Sequence, residues 1–258
     1  GQLTELSENY NPDLWWFDGD WEHNEKEWGI EEIKSLLLNN NPETILNSRL
    51  RGKGDYDTPE NGPPVLAPES KYWELCLTMN DSWGYQPNDK NYKTPQQVLD
   101  IFVDCISKGG NLLLDIGPKA DGTIADEQVH ILKELGKWTS KHQKAIYKMN
   151  KGIPYDHFYG PNALSADSTK LYLFVKGNPN GQVALRGISN KINSIVVVGN
   201  GTSLNHKTIS KIWWSKYPGV TYIDIPEEVM DEYYTVISVS LDGPIELYRK
   251  VVGAIESN

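Results

Sequence analysis

The sequence predicts an α/β fold, the C-terminal half of a (β/α)8-type barrel, followed by an all-β sandwich. Three observations carry this. Between residues 12 and 147, apolar runs of strand length alternate with helix-period segments, a grammar that gives parallel strands with helices packed on them. Four such units, as counted in the sequence, make half of an eight-fold barrel. After about residue 150 the grammar changes to short alternating strands rich in Val, Ile, Thr and Tyr, separated by Gly, Pro and Asn. The boundary falls near residues 148–152, giving domains 1–148 and 149–258.

The elements follow in order. Leu3 and Leu6 mark the tail of a helix ahead of Pro12. Leu14-Trp15-Trp16-Phe17 is an apolar run that stops at Asp18-Gly19, as a buried parallel strand does where it reaches a surface cleft. Behind it Trp28, Ile30, Ile33, Leu36 and Leu37 recur near the helical period, and Asn39-Asn40-Asn41-Pro42 stops that helix. Residues 44–47 form a second strand with Arg49 at its end. The stretch from Arg51 to Pro64 holds too much Gly and Pro for a regular element and reads as a long polar loop. Residues 72–79 form a third strand, with Asn80-Asp81-Ser82-Trp83-Gly84-Tyr85 as the loop after it. Thr94-Pro95-Gln96-Gln97 opens a helix: Thr94 caps, Pro95 suits the first helical position and Gln97 closes a capping box. Val98, Ile101, Phe102, Cys105 and Ile106 are its buried stripe, and Gly109-Gly110 ends it. Residues 111–116 form a fourth strand, and the helix beyond the Gly117–Gly122 turn carries Val129, Leu132, Leu135 and Trp138 on one face. In the second domain strands are expected at 171–176, 183–185, 194–198, 212–214 and 236–241.

Composition narrows the function. A net charge of −10 leaves no basic face to meet phosphates, so nucleic acid is excluded as a partner. Nine Trp and fourteen Tyr are many for this length; most fill cores, and some can stack on the apolar faces of sugars. Cys76 and Cys105 lie inside apolar runs and read as free buried thiols. The five histidines form neither a triad nor a metal-ligand cluster, and Gly52-Lys53-Gly54 lacks the strand-to-helix context of a phosphate loop. No metal and no cofactor is expected. No run has the length of a membrane-spanning helix, and the first residues show neither a charged n-region nor an apolar h-region. Asn80-Asp81-Ser82 and Asn200-Gly201-Thr202 match the glycosylation pattern.

A carboxylate at a strand end, flanked by tryptophans, is what a sugar-cleaving site needs. Glycosidic hydrolysis normally uses two carboxyl groups, one to attack or activate water and one to protonate the leaving oxygen. Asp18 is the candidate nucleophile. Glu60, on the polar loop, is the candidate acid/base, with Glu74 inside the third strand as its rival. Glu74 also reads as a buried structural carboxylate. Arg49 can bond a sugar hydroxyl or hold a catalytic carboxylate ionised, or form an ordinary surface ion pair.

With these residues in view, Leu14-Trp15-Trp16-Phe17-Asp18-Gly19-Asp20-Trp21-Glu22 resembles the nucleophile segment of the retaining α-L-fucosidases, glycoside hydrolase family 29. Trp73-Glu74-Leu75-Cys76, Asp81-Ser82-Trp83-Gly84-Tyr85 and the run from Gly109 to Gly122 extend the resemblance over about residues 11–150. It implies Asp18 as nucleophile, Glu60 as acid/base, and Trp16, Arg49 and Trp83 as residues lining the fucose pocket. Asp115 departs from the family pattern, which has Asn there. A fucosylated oligosaccharide or glycoconjugate is the implied substrate, and a secreted, periplasmic or lysosome-like location the implied setting. The family carries an N-terminal half-barrel whose histidines bind sugar hydroxyls. Such a segment or chain is therefore expected as a partner. Two alternatives stand beside this: an incomplete piece that only binds carbohydrate or serves structure, and another retaining glycosidase such as a galactosidase.

Overall fold

The computed structural model describes residues 1–211, 214 and 216–249. By internal contacts the chain forms two compact units, Gly1–Leu77 with Gly110–Leu114, and Thr78–Gly109 with Asp115–Asn258. The boundary expected near residues 148–152 is not one of the divisions between these units.

In the first unit, helix α1 (Gln2–Tyr10) packs on α3 (Ile30–Asn40), with the single turn α2 (Glu25–Trp28) preceding α3. Strands β1 (Leu14–Trp15) and β2 (Ile45–Leu46) pair in parallel, Leu14 opposite Ile45 and Trp15 opposite Leu46. Strand alternation sends Trp15 and Leu46 into a core with Ile30, Leu37 and Leu50, while Phe17, Trp28 and Leu3 pack at its edge. Leu14 and Ile45 point the other way and remain 46% and 45% exposed. The sequence predicts a strand covered on both faces; within this unit one face is covered.

Strands β3 (Glu74–Thr78) and β4 (Asn111–Asp115) pair with each other. What lies between β2 and β3 corrects two expectations. No helix follows β2, so strand and helix do not alternate four times. Nor is the polar stretch shapeless. Tyr56 bridges Asn47, Asp57 bridges Trp73 and Glu60 bridges Cys76, all in parallel. Residues 55–60 thus run as extended chain between β2 and β3, with Asp55 N–H donating to the Leu46 carbonyl (2.7 Å) and Cys76 N–H to that of Pro59 (2.9 Å). Pro59 can accept but not donate, which breaks the ladder into isolated bridges. Composition hid the segment because Gly, Pro and Asp are depleted from ordinary strands.

In the second unit, α4 (Pro95–Ser107) and α5 (Asp126–His142) pack together. The expected capping box is present: Gln97 N–H donates to Thr94 Oγ1 (3.2 Å) and Thr94 N–H to Gln97 Oε1 (2.8 Å). On α5 the buried residues are Gln128, Ile131, Trp138 and His142, while Leu132 is exposed, so the covered stripe is rotated from the predicted one. An apolar-only reading missed the two polar members. Gln128 Oε1 accepts from Gly117 N–H (3.1 Å), and the His142 ring lies 3.1 Å from Asp231.

The remaining strands are β5 (Met149–Lys151), β6 (Asn162–Ser165), β7 (Lys170–Lys176), β8 (Gln182–Arg186), β9 (Ile192–Val197), β10 (His206–Ile209), β11 (Val220–Asp224) and β12 (Tyr234–Leu241). They form two antiparallel sheets, ordered β5-β6-β7-β12-β9 and β10-β11-β8. Along β7, Leu171, Leu173 and Val175 enter a core shared with Leu185 and Ile223 of the smaller sheet. The alternate residues Tyr172 and Phe174 enter a second core with Leu99 and Val103 of α4 and Trp138 of α5. Both faces of the larger sheet are therefore covered. Of the expected strand at 212–214, Ile212 and Trp213 lie outside the described residues and Trp214 sits in a turn. Cys76 and Cys105 are buried thiols, and burial pushes the Cys105 thiol up to about 12. Among the described residues no cluster of His, Cys, Asp and Glu could hold a metal, and no helix is long and apolar enough to cross a membrane.

Candidate active site

The site is built where β1, β2 and the 55–60 segment end. Asn47, fully buried just past β2, takes over from the backbone ladder. Its Nδ2 donates to the Phe17 carbonyl and its Oδ1 accepts from Phe17 N–H, both at 2.9 Å. One side-chain amide thereby fixes the peptide that precedes Asp18. Gly19 follows with φ of 83°, a left-handed turn that glycine adopts without strain. The chain beyond is tied down by Asp20, whose carboxylate accepts from Arg51 N–H at 2.5 Å.

Arg49 joins the candidate carboxylates. One terminal nitrogen donates to Asp18 Oδ1 and the other to Glu60 Oε2, each at 2.7 Å. Its Nε donates to Thr58 Oγ1 at 3.0 Å, and its guanidinium lies 4.6 Å from the centroid of the Trp16 ring. The Arg49 side chain is only 11% exposed, against 58% for Asp18 and 41% for Glu60. Burial works to lower the Arg49 pKa, but its bonds to the two carboxylates outweigh it and the net shift is upward. A fixed cation thus holds two more accessible carboxylates, the distribution a site needs if the carboxylates meet the ligand and the arginine aligns them.

Glu74 enters differently. Burial raises its pKa, opposed by the Trp16 indole N–H, which lies close enough to favour the ionised form. That indole nitrogen is buried and finds no hydrogen bond of full geometry, so the contact is an imperfect one. Glu74 lines a cavity of about 330 Å³ with Leu14, Ile45, Tyr56, Tyr72 and Trp73. The Tyr56 hydroxyl is buried there without a partner, and burial with the nearby Glu74 pushes its pKa up to about 12.

A match to a family model decides the kinship. The model is described as alpha-L-fucosidase and matches residues 1–144. The chain belongs to the alpha-L-fucosidase family. The tissue alpha-L-fucosidase of Rattus norvegicus is 34% identical over 57% of this chain and 34% of its own length. The alpha-L-fucosidase of Dictyostelium discoideum is 30% identical over 71% of this chain and 42% of its own. Among solved structures, alpha-L-fucosidase isoenzyme 1 from Paenibacillus thiaminolyticus is similar with a TM-score of 0.81 at 29% identity. That match covers 94% of this chain and 61% of the other. The chain therefore spans between a third and a half of these two curated fucosidases.

Of the positions the fucosidase resemblance assigns, the first unit brings together Asp18, Glu60, Arg49 and Trp16. Trp83 stands in the second unit, 41% exposed, on a loop where Ser82 donates to Asp89 at 2.8 Å. Asp115, the departure from the fucosidase pattern, ends β4, and burial raises its pKa. Asn47 and Thr58 were missed by sequence reasoning. The one available signal for Asn47 was a lone amide closing an apolar strand; Thr58 carried none.

Proposed function

We propose that this chain is the nucleophile-bearing part of a retaining exo-α-L-fucosidase that removes terminal α-L-fucosyl residues from glycans by double displacement. Residues 1–148 are the second half of its (β/α)8-type barrel and residues 149–258 its C-terminal β-sandwich. Asp18 attacks the anomeric carbon and Glu60 protonates the departing oxygen. Glu60 then takes the proton of the water that releases fucose. The observation that carries this reading is the Arg49 bridge, one guanidinium bonded at 2.7 Å to each carboxylate. A retaining site needs its carboxyl groups about 5–5.5 Å apart, and a shared arginine favours such closeness. Trp16 and Arg49 line the fucose pocket, and the family resemblance assigns Trp83 the same role. The family's length supports a partner segment that completes the barrel and supplies further sugar contacts. A secreted, periplasmic or lysosome-like setting belongs to the same reading, in line with relatives named plasma alpha-L-fucosidase.

The test uses the completed enzyme and an aryl fucoside. Asp18→Gly abolishes turnover and azide restores it by taking the nucleophile's place. Glu60→Ala slows substrates with poor leaving groups by about 10²–10⁴-fold and activated ones far less. The first-formed fucose is the α anomer; a β anomer sinks the nucleophile role of Asp18. The raised pKa and cavity position of Glu74 favour a second reading in which it is the acid. Glu74→Ala, not Glu60→Ala, then shows the leaving-group dependence.

A further inference from the structure

The second unit holds a cavity of about 410 Å³ that takes no part in the reading above, and its size suits a small-molecule ligand. Arg186, at the end of β8, and Arg249 both line it. Among the described residues neither pairs with a carboxylate. In a chain of net charge −10, two arginines with no carboxylate partner among the described residues reverse the prevailing sign locally. Arg186 is held in place, its guanidinium 4.2 Å from the centroid of Tyr159. Tyr159 in turn sits 4.8 Å from Tyr155, and these rings are 53% and 67% exposed. Tyr217 and Tyr248 also line the cavity and meet edge to face at 5.6 Å. The Tyr248 hydroxyl is buried without a hydrogen-bond partner, and Asp156 adds an acceptor to the cavity wall.

We propose that this cavity binds an acidic sugar, a saccharide ring carrying a carboxylate or a sulfate ester. The arginine fork matches the paired oxygens of either group. Tyrosine faces suit the C–H face of a sugar ring, and the Asp156 carboxylate suits its hydroxyl groups. A polyanion is disfavoured by the Asp156 carboxylate in the cavity and by the charge of the chain.

Calorimetric titration of the chain tests this with methyl glucuronide, a sulfated methyl fucoside, their uncharged parent glycosides and inorganic sulfate. At least one acidic glycoside binds about tenfold or more tightly than both its parent and inorganic sulfate, the size expected of a charge-assisted hydrogen bond. Which of the two binds identifies the source of the charge. Arg249→Ala, at an exposed position, weakens binding about tenfold, and Arg186→Lys, which keeps the charge but loses the fork, weakens it severalfold. Arg49→Ala leaves the affinity unchanged, which separates this cavity from the site proposed for hydrolysis. Equal affinity for the uncharged parents, inorganic sulfate binding as tightly as the acidic glycosides, insensitivity to both arginine substitutions, or no binding at all overturns the proposal. None of these outcomes touches the fucosidase reading, because the readout is binding and not turnover.

Discussion

At the scale of single residues, the site depends on two polar groups of opposite kind, the buried Asn47 and the half-buried Glu74. Asn47 is satisfied, since both arms of its amide bond the Phe17 backbone. Asn47→Ala strips a part-buried N–H and C=O of their partners, at a cost of up to about 1–3 kcal/mol each if water does not replace the amide. Urea unfolding should show a loss in that range, and kcat should fall more than KM rises because Asp18 is no longer held. An unchanged kcat in a folded variant argues that Asp18 is positioned some other way. Glu74 is strained in charge rather than in geometry. Its folded pKa is raised by burial, so the fold opposes its ionisation. The penalty is absent below the unfolded pKa, grows as pH rises through it, and is complete above the folded value. Glu74→Gln should therefore be more stabilising, or less destabilising, at pH 7 than at pH 4. Equal differences at the two pH values would mean that Glu74 ionises as freely in the fold as outside it.

Elements were legible where local chemistry agrees with the final structure. Helix α4 was readable because its cap and Pro95 specify the same helix, although its buried residues are Val98, Leu99, Val103, Cys105 and Ile106, with the expected Ile101 and Phe102 only partly buried. The 55–60 segment was not readable, because its conformation is imposed by β2 and β3 on either side and its own residues favour turns. Asp18 and Glu60 were found as candidates from their types and neighbours, yet the arrangement that joins them through Arg49 depends on this hidden segment. Gly54 shows how tightly it is seated: an added Cβ would stand 2.0 Å from the Asn47 carbonyl oxygen. Gly54→Ala should force the segment away from β2 and shift Glu60, lowering turnover of substrates with poor leaving groups more than of activated ones. Thr94→Ala is the contrasting case. It removes the α4 cap at a cost of about 1 kcal/mol and should leave the leaving-group dependence unchanged. If both variants lose only stability, the segment does not set the position of the acid.

At the scale of the whole molecule, the two units are unevenly covered. In the second, β7 is enclosed on both faces, by the smaller sheet on one side and by α4 and α5 on the other. In the first, Trp15 and Leu46 are buried while their in-register neighbours Leu14 and Ile45 open onto the cavity that also holds Tyr72, itself 56% exposed. The sequence reading expected both faces of this strand to be buried; within the first unit only the Trp15 and Leu46 face is covered. A partner segment completing the barrel is the second layer we propose, since each apolar Å² it removes from water is worth about 25 cal/mol. Hydrogen exchange of this chain alone and of the completed fucosidase provides the comparison. Amides of β1 and β2 should exchange more slowly in the completed enzyme, while those of β7 and β12 should not change. Leu14→Asp should leave the chain folded but prevent assembly and activity, because the buried carboxylate would find no partner on an apolar face. Identical exchange of β1 and β2 in both forms, or full activity of Leu14→Asp, would show that the exposed face of this strand pair is left open in the working enzyme.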